Sequence, residues 1–276
     1  MKSQAEKGRV FRALHERKSA FIIPNPWDVG STRILAFLGF EALATTSMGY
    51  AFSMGQRDTT VKREQMLEHI RTIAAATDLP VSADLEKCYG DEPEIVAETI
   101  RLAAGAGAVG GSVEDSTARI DDPIFEKELA VERVRAAVEA ARSLPFPFTL
   151  TARAENFLWG RPDLKDTIAR LQAYQEAGAD VLYAPGLGNK DEIAAVIRSV
   201  DRPVNVLMGL RGVQVSLTEL EELGVRRVSV GSSLYRTALG AFLHAAREMK
   251  EQGTFNYSRG AVNPVEVSEI FKRWET

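Results

Sequence analysis

The chain has 276 residues, of which 45% are hydrophobic and 26% are charged, and its formal net charge is −4. These values are typical of a globular protein that can bury a sizeable core. A slightly acidic chain lacks the basic patch of a nucleic-acid-binding or membrane-surface protein, so neither partner is expected. With a single cysteine, no signal-peptide pattern and no transmembrane-length apolar run, we expect a cytoplasmic location.

The three histidines argue against two common kinds of catalytic site. His15, His69 and His244 all lie in segments with a helical pattern, and none of them ends a predicted strand. A zinc site of several histidines or a Ser-His-Asp triad would have to be assembled from these three residues. We therefore expect any metal to bind oxygen ligands, which favours Mg²⁺, or Mn²⁺, over Zn²⁺.

Short β-rich segments and helical segments alternate eight times along the chain, after a short N-terminal helix. The β-rich segments are 21–23, 42–46, 80–84, 108–114, 148–152, 181–184, 204–208 and 227–230. The helical segments that follow them are 31–38, 61–76, 93–104, 130–142, 164–177, 191–200, 217–223 and a last one that runs into residue 247. Several helices end in a glycine that precedes the next strand, as in FLGFEALA, EAGADVLY and ELGVRRVS, which is typical of a left-handed C-cap.

This alternation predicts an α/β fold, a closed (β/α)₈ TIM-type barrel. No strand alternates between apolar and polar residues, as expected when both faces of a parallel sheet are buried. An open doubly wound sheet is the alternative. Because no glycine-rich linker divides the chain, we expect one domain over residues 1–276. The barrel would cover about residues 20–245, and an extra C-terminal helical extension would cover about residues 254–276.

Carboxylates follow neighbouring strands of the predicted barrel, at the ends where the chemistry of this fold lies. Asp84 and Glu86 follow the third strand, Glu114 ends the fourth, and Asp58 lies in the loop after the second. Clustered carboxylates repel one another unless a cation neutralises them or they share protons. A hard divalent ion with mostly water ligands would suit Asp84, Glu86 and Glu114, although each alone could cap a loop or pair with a lysine. The adjacent Asp115 is expected to make local backbone hydrogen bonds.

Other polar residues end strands on the same side of the barrel. Arg153 follows the fifth strand, where it is either a structural ion pair or a planar clamp for a substrate carboxylate. The turn Ser47-Met48-Gly49 follows the second strand and could present backbone N–H groups to an anion. Asn205 ends the seventh strand.

Five segments, in this order, carry a resemblance to a known family: PNPWDVGSTRILAFLGFEALATTSMGYAFSMGQRD, ADLEKCYGD, SVEDS, TARAENF and PVNVL. They span nearly the whole predicted barrel and resemble the isocitrate lyase / phosphoenolpyruvate mutase superfamily. The resemblance implies a Mg²⁺-dependent enzyme that makes or breaks a C–C or C–P bond of a small α-keto or 2-hydroxy acid, through an enolate-like pyruvate intermediate. It also implies a homo-oligomer, a dimer or tetramer, in which C-terminal helices are exchanged between subunits.

The same resemblance implies a role for each acidic residue at the strand ends. Asp84 would bind the metal directly, and Asp58, Glu86 and Glu114 would hold its water ligands. The ion would polarise the keto oxygen and stabilise the enolate as charge develops. Arg153, Glu114 and Asp58 are the residues that we expect to be catalytic.

Substrate recognition is also implied by the resemblance. Ser47 and Gly49 would bind the substrate carboxylate through a hydroxyl and a backbone N–H. Arg153 would contact the carboxylate or the oxyanion, and Asn205 would line the pocket.

The chain departs from the family pattern in its loops. Lyases of the family carry a KKCGH motif after the fourth strand, whose cysteine is an acid or base. Here that region is EDSTARIDDPIFEKELAVERV, without cysteine or histidine. The asparagine-containing loop of the mutases and phosphonopyruvate hydrolases is missing too. Gly186 stands near where the lyases place a glutamate. The motifs therefore do not define the substrate.

The thiol of Cys88 lies in EKCYGD, beside the acidic residues rather than on the loop after the fourth strand. A thiol there could protonate an enolate and replace the missing loop acid. The alternative, which we favour, is an incidental small loop residue.

We favour a Mg²⁺-dependent lyase or decarboxylase, and oxaloacetate decarboxylation in particular, because a metal alone can stabilise the enolate as CO₂ leaves. The alternatives are 2-methylisocitrate-type cleavage, oxaloacetate hydrolysis, C–P chemistry on phosphonopyruvate, and a ketoacid-binding protein without turnover. A Schiff-base enzyme is disfavoured because Lys87 and Lys190 lie in loops rather than on strands.

Overall fold

Eight parallel strands surrounded by helices form a nearly closed barrel in the computed structural model, which describes residues 2–209 and 213–275. The strands are β1 (Phe21–Ile23), β2 (Leu43–Ala44), β3 (Val81–Asp84), β4 (Gly110–Glu114), β5 (Thr149–Arg153), β6 (Val181–Tyr183), β7 (Val204–Leu207) and β8 (Arg227–Ser229). The helices are α1 (Gln4–Glu16), α2 (Val29–Phe37), α3 (Ser47–Ser53), α4 (Arg63–Ala75), α5 (Pro93–Gly105), α6 (Lys127–Arg142), α7 (Leu164–Glu176), α8 (Lys190–Arg198), α9 (Leu217–Glu222), α10 (Ser233–Gln252) and α11 (Pro264–Phe271).

The order of the strands confirms the barrel and excludes the open doubly wound sheet. Neighbours run β1-β8-β7-β6-β5-β4-β3-β2, so the first and last strands of the chain are paired. The remaining seam, between β1 and β2, is bridged by two hydrogen bonds. The N–H of Ala44 donates to the carbonyl oxygen of Pro24 over 3.1 Å, and Nδ2 of Asn25 donates to the carbonyl oxygen of Thr45 over 2.9 Å.

Helix packing buries the apolar stripe that the helical spacing predicts. In α5 the buried residues recur three and four positions apart, and the helix packs against β4, α4 and α6. Burying a side chain such as Ile100, which is fully inaccessible, contributes roughly 1.5–3 kcal/mol. Within the described part of the chain, no helix is long and apolar enough to cross a membrane.

The predicted turn at Ser47–Gly49 is wrong, because these residues begin the helix α3. Thr46 is its N-cap, and its Oγ1 accepts a hydrogen bond from the N–H of Gly49 over 3.2 Å. A Cβ at Gly49 would lie 2.6 Å from Cγ2 of Thr46. Glycine is therefore required here so that the capping side chain can lie close to the first turn.

The C-terminal extension packs on the same chain. The guanidinium of Arg33 in α2 lies 5.6 Å from the ring centroid of Trp274, and that of Arg273 lies 4.7 Å from the ring centroid of Phe37. Exchange of this helix between subunits is not shown and stays a prediction.

A buried cation, Arg227 of β8, links the barrel interior to α1. Its Nε donates to Oδ1 of Asn205 and its Nη2 to Oγ1 of Thr151, both over 2.9 Å, and its Nη1 lies 3.3 Å from Nε2 of His15. Nδ1 of His15 lies 2.8 Å from the carbonyl oxygen of Phe11. His15 is therefore the neutral tautomer that donates to Phe11 and accepts from Arg227. Burial, together with the charge of Arg227, lowers the pKa of His15 to about 3.

We predict that the free energy of unfolding decreases as the pH falls below about 6.5. Between the ordinary histidine pKa and the folded value of about 3, only the unfolded chain binds this proton, so acid favours unfolding. His15 alone would remove about 2 kcal/mol between pH 6.5 and pH 5. Urea unfolding at several pH values should show this slope in the wild type and a smaller slope in His15→Gln, which keeps an acceptor. Equal slopes in both proteins would contradict the assignment.

A second prediction concerns the close contact between β4 and α1. A Cβ at Gly110 would lie 2.6 Å from Cε1 of Phe11 and 2.9 Å from the carbonyl oxygen of Thr149. Gly110→Ala should therefore lower the free energy of unfolding by about 1–3 kcal/mol. The control is Gly240→Ala in α10, where a Cβ would meet no described atom within 4 Å, so a gain of about 0.5–1 kcal/mol is expected. Urea denaturation of the two variants checks both signs.

Candidate active site

A cavity of about 390 Å³ lies at the C-terminal ends of the strands. Seven of the eight predicted site residues line it: Ser47, Asp58, Asp84, Glu86, Glu114, Arg153 and Asn205. The eighth, Gly49, is not among the lining residues. Its N–H donates to Oγ1 of Thr46, the N-cap of α3. The structure therefore brings together the residues predicted for chemistry, while substrate binding by Gly49 stays a prediction.

Arg153, at the end of β5, is the centre of the site. Its Nη1 donates to Oδ1 of Asp84 over 3.0 Å and its Nε to Oε1 of Glu155 over 2.7 Å. Its Nη2 lies 3.1 Å from Oε2 of Glu114, the residue paired with Arg153 in the β4–β5 register. The ring of Tyr183 lies beneath the guanidinium, 5.0 Å from centroid to Cζ. One guanidinium thus joins the ends of three successive strands or their loops.

Asp84 is held on both carboxylate oxygens. Oδ2 accepts hydrogen bonds from the N–H and the hydroxyl of Ser47, each over 2.9 Å, while Oδ1 faces Arg153. Its own N–H donates to Oγ1 of Thr45 over 2.9 Å. The donors of Ser47, which were predicted to bind a substrate carboxylate, bind the Asp84 carboxylate in this structure. Because an ionised carboxylate offers about four lone-pair sites, Asp84 can still accept a further contact.

A layer of buried polar residues behind the cavity holds Glu155 in place. Oδ1 of Asp115 accepts the N–H of Glu155 over 2.8 Å, and Oδ2 accepts from the hydroxyl of Tyr174 over 2.6 Å and from Nη1 of Arg170 over 3.1 Å. The bond to the Glu155 N–H is a backbone hydrogen bond, as predicted, but it spans 40 residues and is not local. Sequence reasoning missed this layer, since Tyr174 and Arg170 belong to the helical pattern of α7.

Three carboxyl groups that line the cavity, those of Glu86, Asp58 and Glu114, have raised pKa values. Burial, reinforced by Asp84 and Asp58, raises the pKa of Glu86 to about 8. Burial and the charge of Asp84 also raise the pKa of Asp58, and burial holds the pKa of Glu114 well above its usual range despite the nearby Arg153. Each shift reflects the cost of negative charge in a site that holds more carboxylates than guanidinium groups. A bound cation would reduce that cost.

The donor set fits a hard divalent ion such as Mg²⁺. All of the candidate donors are carboxylate or hydroxyl oxygens, and Oε1 of Glu86 is buried without a hydrogen-bond partner among the described residues. No group of three or more His, Cys, Asp and Glu residues in 2–209 and 213–275 forms a ready-made set of direct ligands. This arrangement suits an ion bound directly by Asp84, with the other carboxylates acting through water.

The loop after β4 folds away from the cavity. Ser116 lines the cavity and pairs with Ile124 in an isolated antiparallel bridge, and the N–H of Thr117 donates to the carbonyl oxygen of Pro123 over 2.8 Å. No residue between Thr117 and the start of α6 lines the cavity, nor does any histidine, cysteine or lysine of the described chain. The described cavity walls therefore contain carboxyl groups but no cysteine or histidine of the kind found in the KKCGH motif.

Cys88 is fully buried in the apolar core beside β3 and does not line the cavity. Burial raises the pKa of its thiol to about 12. The thiol therefore has no access to a substrate in the cavity, and its high pKa makes it a weak acid. These observations favour the structural interpretation of this residue.

Sequence reasoning did not anticipate the mouth of the cavity. Leu158 and Trp159, from the loop after β5, line it together with Arg236 of α10. The available signal was the apolar dipeptide Leu158-Trp159 in the loop after a strand end, because loops at this end of a barrel carry specificity.

One protein family and two individual proteins are similar to this chain in sequence. Residues 11–250 match the phosphoenolpyruvate phosphomutase family. An uncharacterized protein of Mycobacterium tuberculosis is 35% identical over 247 residues, which cover 87% of this chain and 89% of that protein. The oxaloacetate decarboxylase of Pseudomonas savastanoi pv. phaseolicola is 27% identical over 256 residues, which cover 90% and 86% of the two chains.

The solved structures agree with the family match. A crystal structure from Burkholderia cenocepacia, provisionally described as a lyase/mutase, is similar at a TM-score of 0.95 and 63% identity, over 98% of this chain and 96% of that chain. The superfamily resemblance predicted from the five segments is confirmed. The chain belongs to the phosphoenolpyruvate phosphomutase family, within the isocitrate lyase / phosphoenolpyruvate mutase superfamily.

Proposed function

We propose that this protein is a Mg²⁺-dependent lyase or decarboxylase of a small α-keto or 2-hydroxy carboxylic acid, and that oxaloacetate decarboxylation is its reaction. The observation that carries the proposal is the surplus of buried carboxylates around the single guanidinium of Arg153, at the ends of β3, β4 and β5. Such a surplus is stable with a divalent cation, and a cation suits chemistry in which negative charge develops on substrate.

The residues of the chain would divide the work as follows. Asp84 would hold the ion, and Asp58, Glu86 and Glu114 would hold its water ligands. A bound Mg²⁺ supplies positive charge next to the keto oxygen, where negative charge develops as the C–C bond breaks. Arg153, mostly buried and fixed by three carboxylates, presents a preorganised cation to the substrate carboxylate or oxyanion.

Decarboxylation is favoured because it needs the least from the loop after β4. When the bond between C3 and C4 of oxaloacetate breaks, CO₂ leaves and the electron pair stays on the pyruvate fragment, so no acid is required for bond cleavage. A proton from water then completes pyruvate. The cavity walls of the described chain supply no histidine, cysteine or lysine, and the decarboxylase relative gives independent support.

Arg153, Glu114 and Asp58 remain our candidates for catalysis, and Ser47, Gly49 and Asn205 for substrate binding. In the structure Nδ2 of Asn205 donates to Oγ of Ser229 over 2.9 Å, so its amide is already oriented at the cavity wall. Mn²⁺ is an alternative ion. A homo-oligomeric state and a cytoplasmic location also stay predictions.

We predict Mg²⁺-dependent release of pyruvate from oxaloacetate above the rate given by the same Mg²⁺ without protein. Asp84→Asn should lower this rate by about 10²-fold or more, because it removes the direct ligand. Asp58→Asn should mainly raise the Mg²⁺ concentration needed for half-maximal rate, because Asp58 would act through water. The assay is pyruvate formation followed by NMR, with circular dichroism of each variant as a control for folding.

Parallel incubations with 2-methylisocitrate and phosphonopyruvate separate the alternatives, because both cleavages also give pyruvate. Acetate and oxalate from oxaloacetate would instead identify hydrolysis. Mg²⁺-dependent binding of oxalate with no product from any substrate would contradict the enzyme assignment and support a ketoacid-binding protein.

A further inference from the structure

The turn that follows β3, residues 85–91, has an unusual backbone. Three of its residues lie in the left-handed region although none is glycine: Glu86 at φ +50°, Cys88 at φ +62° and Tyr89 at φ +64°. This region is sterically unfavourable for residues with a Cβ, and such residues persist only where surrounding contacts hold them. We call this segment the β3 turn.

A side chain from a distant helix binds the β3 turn. Arg133 of α6 donates from Nη2 to the carbonyl oxygen of Lys87 over 2.6 Å. Its Nη1 donates to the carbonyl oxygens of Gly90 and Asp91, over 2.7 and 2.6 Å. Three carbonyl groups of one short turn thus converge on one guanidinium. Only a planar group with several fixed N–H donors can satisfy them together.

Arg133 has no other strong polar partner in the described chain. Its residue surface is 1% exposed, it forms no ion pair with a described carboxylate, and its guanidinium lies 4.3 Å from the ring centroid of Phe125. A buried cation without a counter-ion is costly unless dipoles replace its hydration. The carbonyl groups of the β3 turn are the dipoles that do so, which ties the position of α6 to the turn.

Three of the other four carbonyl groups of the turn are also bound. The carbonyl oxygen of Leu85 accepts from the N–H of Cys88 over 2.8 Å, and that of Cys88 accepts from Oγ1 of Thr99 over 3.0 Å. The carbonyl oxygen of Glu86 accepts from the N–H of Glu114 over 3.3 Å. These bonds fix the turn against α5 and β4, and the carboxylate of Glu86 faces the cavity.

We propose that Arg133 is a positioning residue that holds the β3 turn in its left-handed conformation and thereby keeps Glu86 at the metal site. It touches neither the cavity nor the other candidate site residues. The consequence for metal binding rests on the proposed function, whereas the effect on the turn does not. The test therefore uses one readout for each.

The first variant is Arg133→Lys, which keeps the charge and cannot donate to three diverging carbonyl groups. Without metal, amide hydrogen exchange in residues 86–91 should become at least about tenfold faster, while exchange in β5 and β6 stays unchanged. The dissociation constant for Mn²⁺ should rise by about 10- to 100-fold, as for other residues that orient metal ligands. With oxaloacetate, the Mg²⁺ concentration for half-maximal rate should rise far more than kcat falls.

Strain in the turn is tested by a matched pair at Cys88. Cys88→Gly and Cys88→Ala both remove the sulfur, but only glycine adopts the left-handed conformation without steric cost. In the Arg133→Lys background, Cys88→Gly should restore most of the slow exchange and of the Mn²⁺ affinity, and Cys88→Ala should restore neither. Equal behaviour of the two double variants would overturn the proposal.

A milder variant keeps the test decisive if Arg133→Lys does not fold. Thr99→Val keeps the volume and removes the hydrogen bonds from Oγ1 to the carbonyl oxygens of Cys88 and of Ile95 within α5, so it should speed exchange in the turn to a smaller degree. Unchanged exchange in residues 86–91 in both variants would overturn the role of Arg133. If the wild type binds no Mn²⁺, the proposed function fails, and the exchange data still decide whether Arg133 holds the turn.

Discussion

The charge balance around Arg153 is the constraint on which the rest of the site depends. This guanidinium is shared by carboxylates from three successive strand ends or loops, and Glu86 and Asp58 add further carboxylates with no cation of their own. Buried carboxylates at this density cannot all be ionised without a second positive charge. In residues 2–209 and 213–275 the neighbouring Lys87 pairs with Asp91 rather than with Glu86, and Oε1 of Glu86 has no hydrogen-bond partner. A further cation would offset this charge, which is why the proposed reaction depends on a metal.

The barrel makes this concentration of charge possible because the charged residues are held by different parts of the structure. Asp84, Glu114 and Arg153 end three different strands, so that the backbone hydrogen bonds of the sheet hold them. Arg153 is oriented by Glu155, which is in turn held through Asp115. Two other buried arginines contrast with Arg153, since Arg227 and Arg133 bind neutral oxygen and nitrogen acceptors rather than carboxylates. Arg153 neutralises carboxylates at the site, whereas the other two arginines join distant segments of the chain.

Most of the fold could be predicted from the sequence, and so could the grouping of the charged residues at the cavity. Alternation of buried strands with amphipathic helices identifies the barrel, and the barrel places the ends of β3, β4 and β5 side by side, so Asp84, Glu114 and Arg153 could be grouped. What could not be predicted depends on side-chain direction and long-range contacts. Thr46 and Gly49 have the composition of a turn, and only the capping bond shows that α3 starts there. Asp115 was expected to make local hydrogen bonds, because the sequence does not reveal that its partner, the N–H of Glu155, is 40 residues away.

Cys88 is another residue whose side-chain direction could not be predicted from the sequence, and here the direction bears on function. A thiol between carboxylates suggests reactivity when only the order of residues is known, but its backbone is left-handed and its side chain points into the apolar core. Nothing in the identities of Glu86, Cys88 and Tyr89 favours positive φ, so the conformation is imposed by contacts from α5, α6 and β4. A strained turn of this kind keeps a buried carboxylate at a fixed position without a protein partner for its charge. An acceptor held in place without a hydrogen-bond partner among the described residues suits a cation site, so the conformation of the turn supports the proposed metal chemistry.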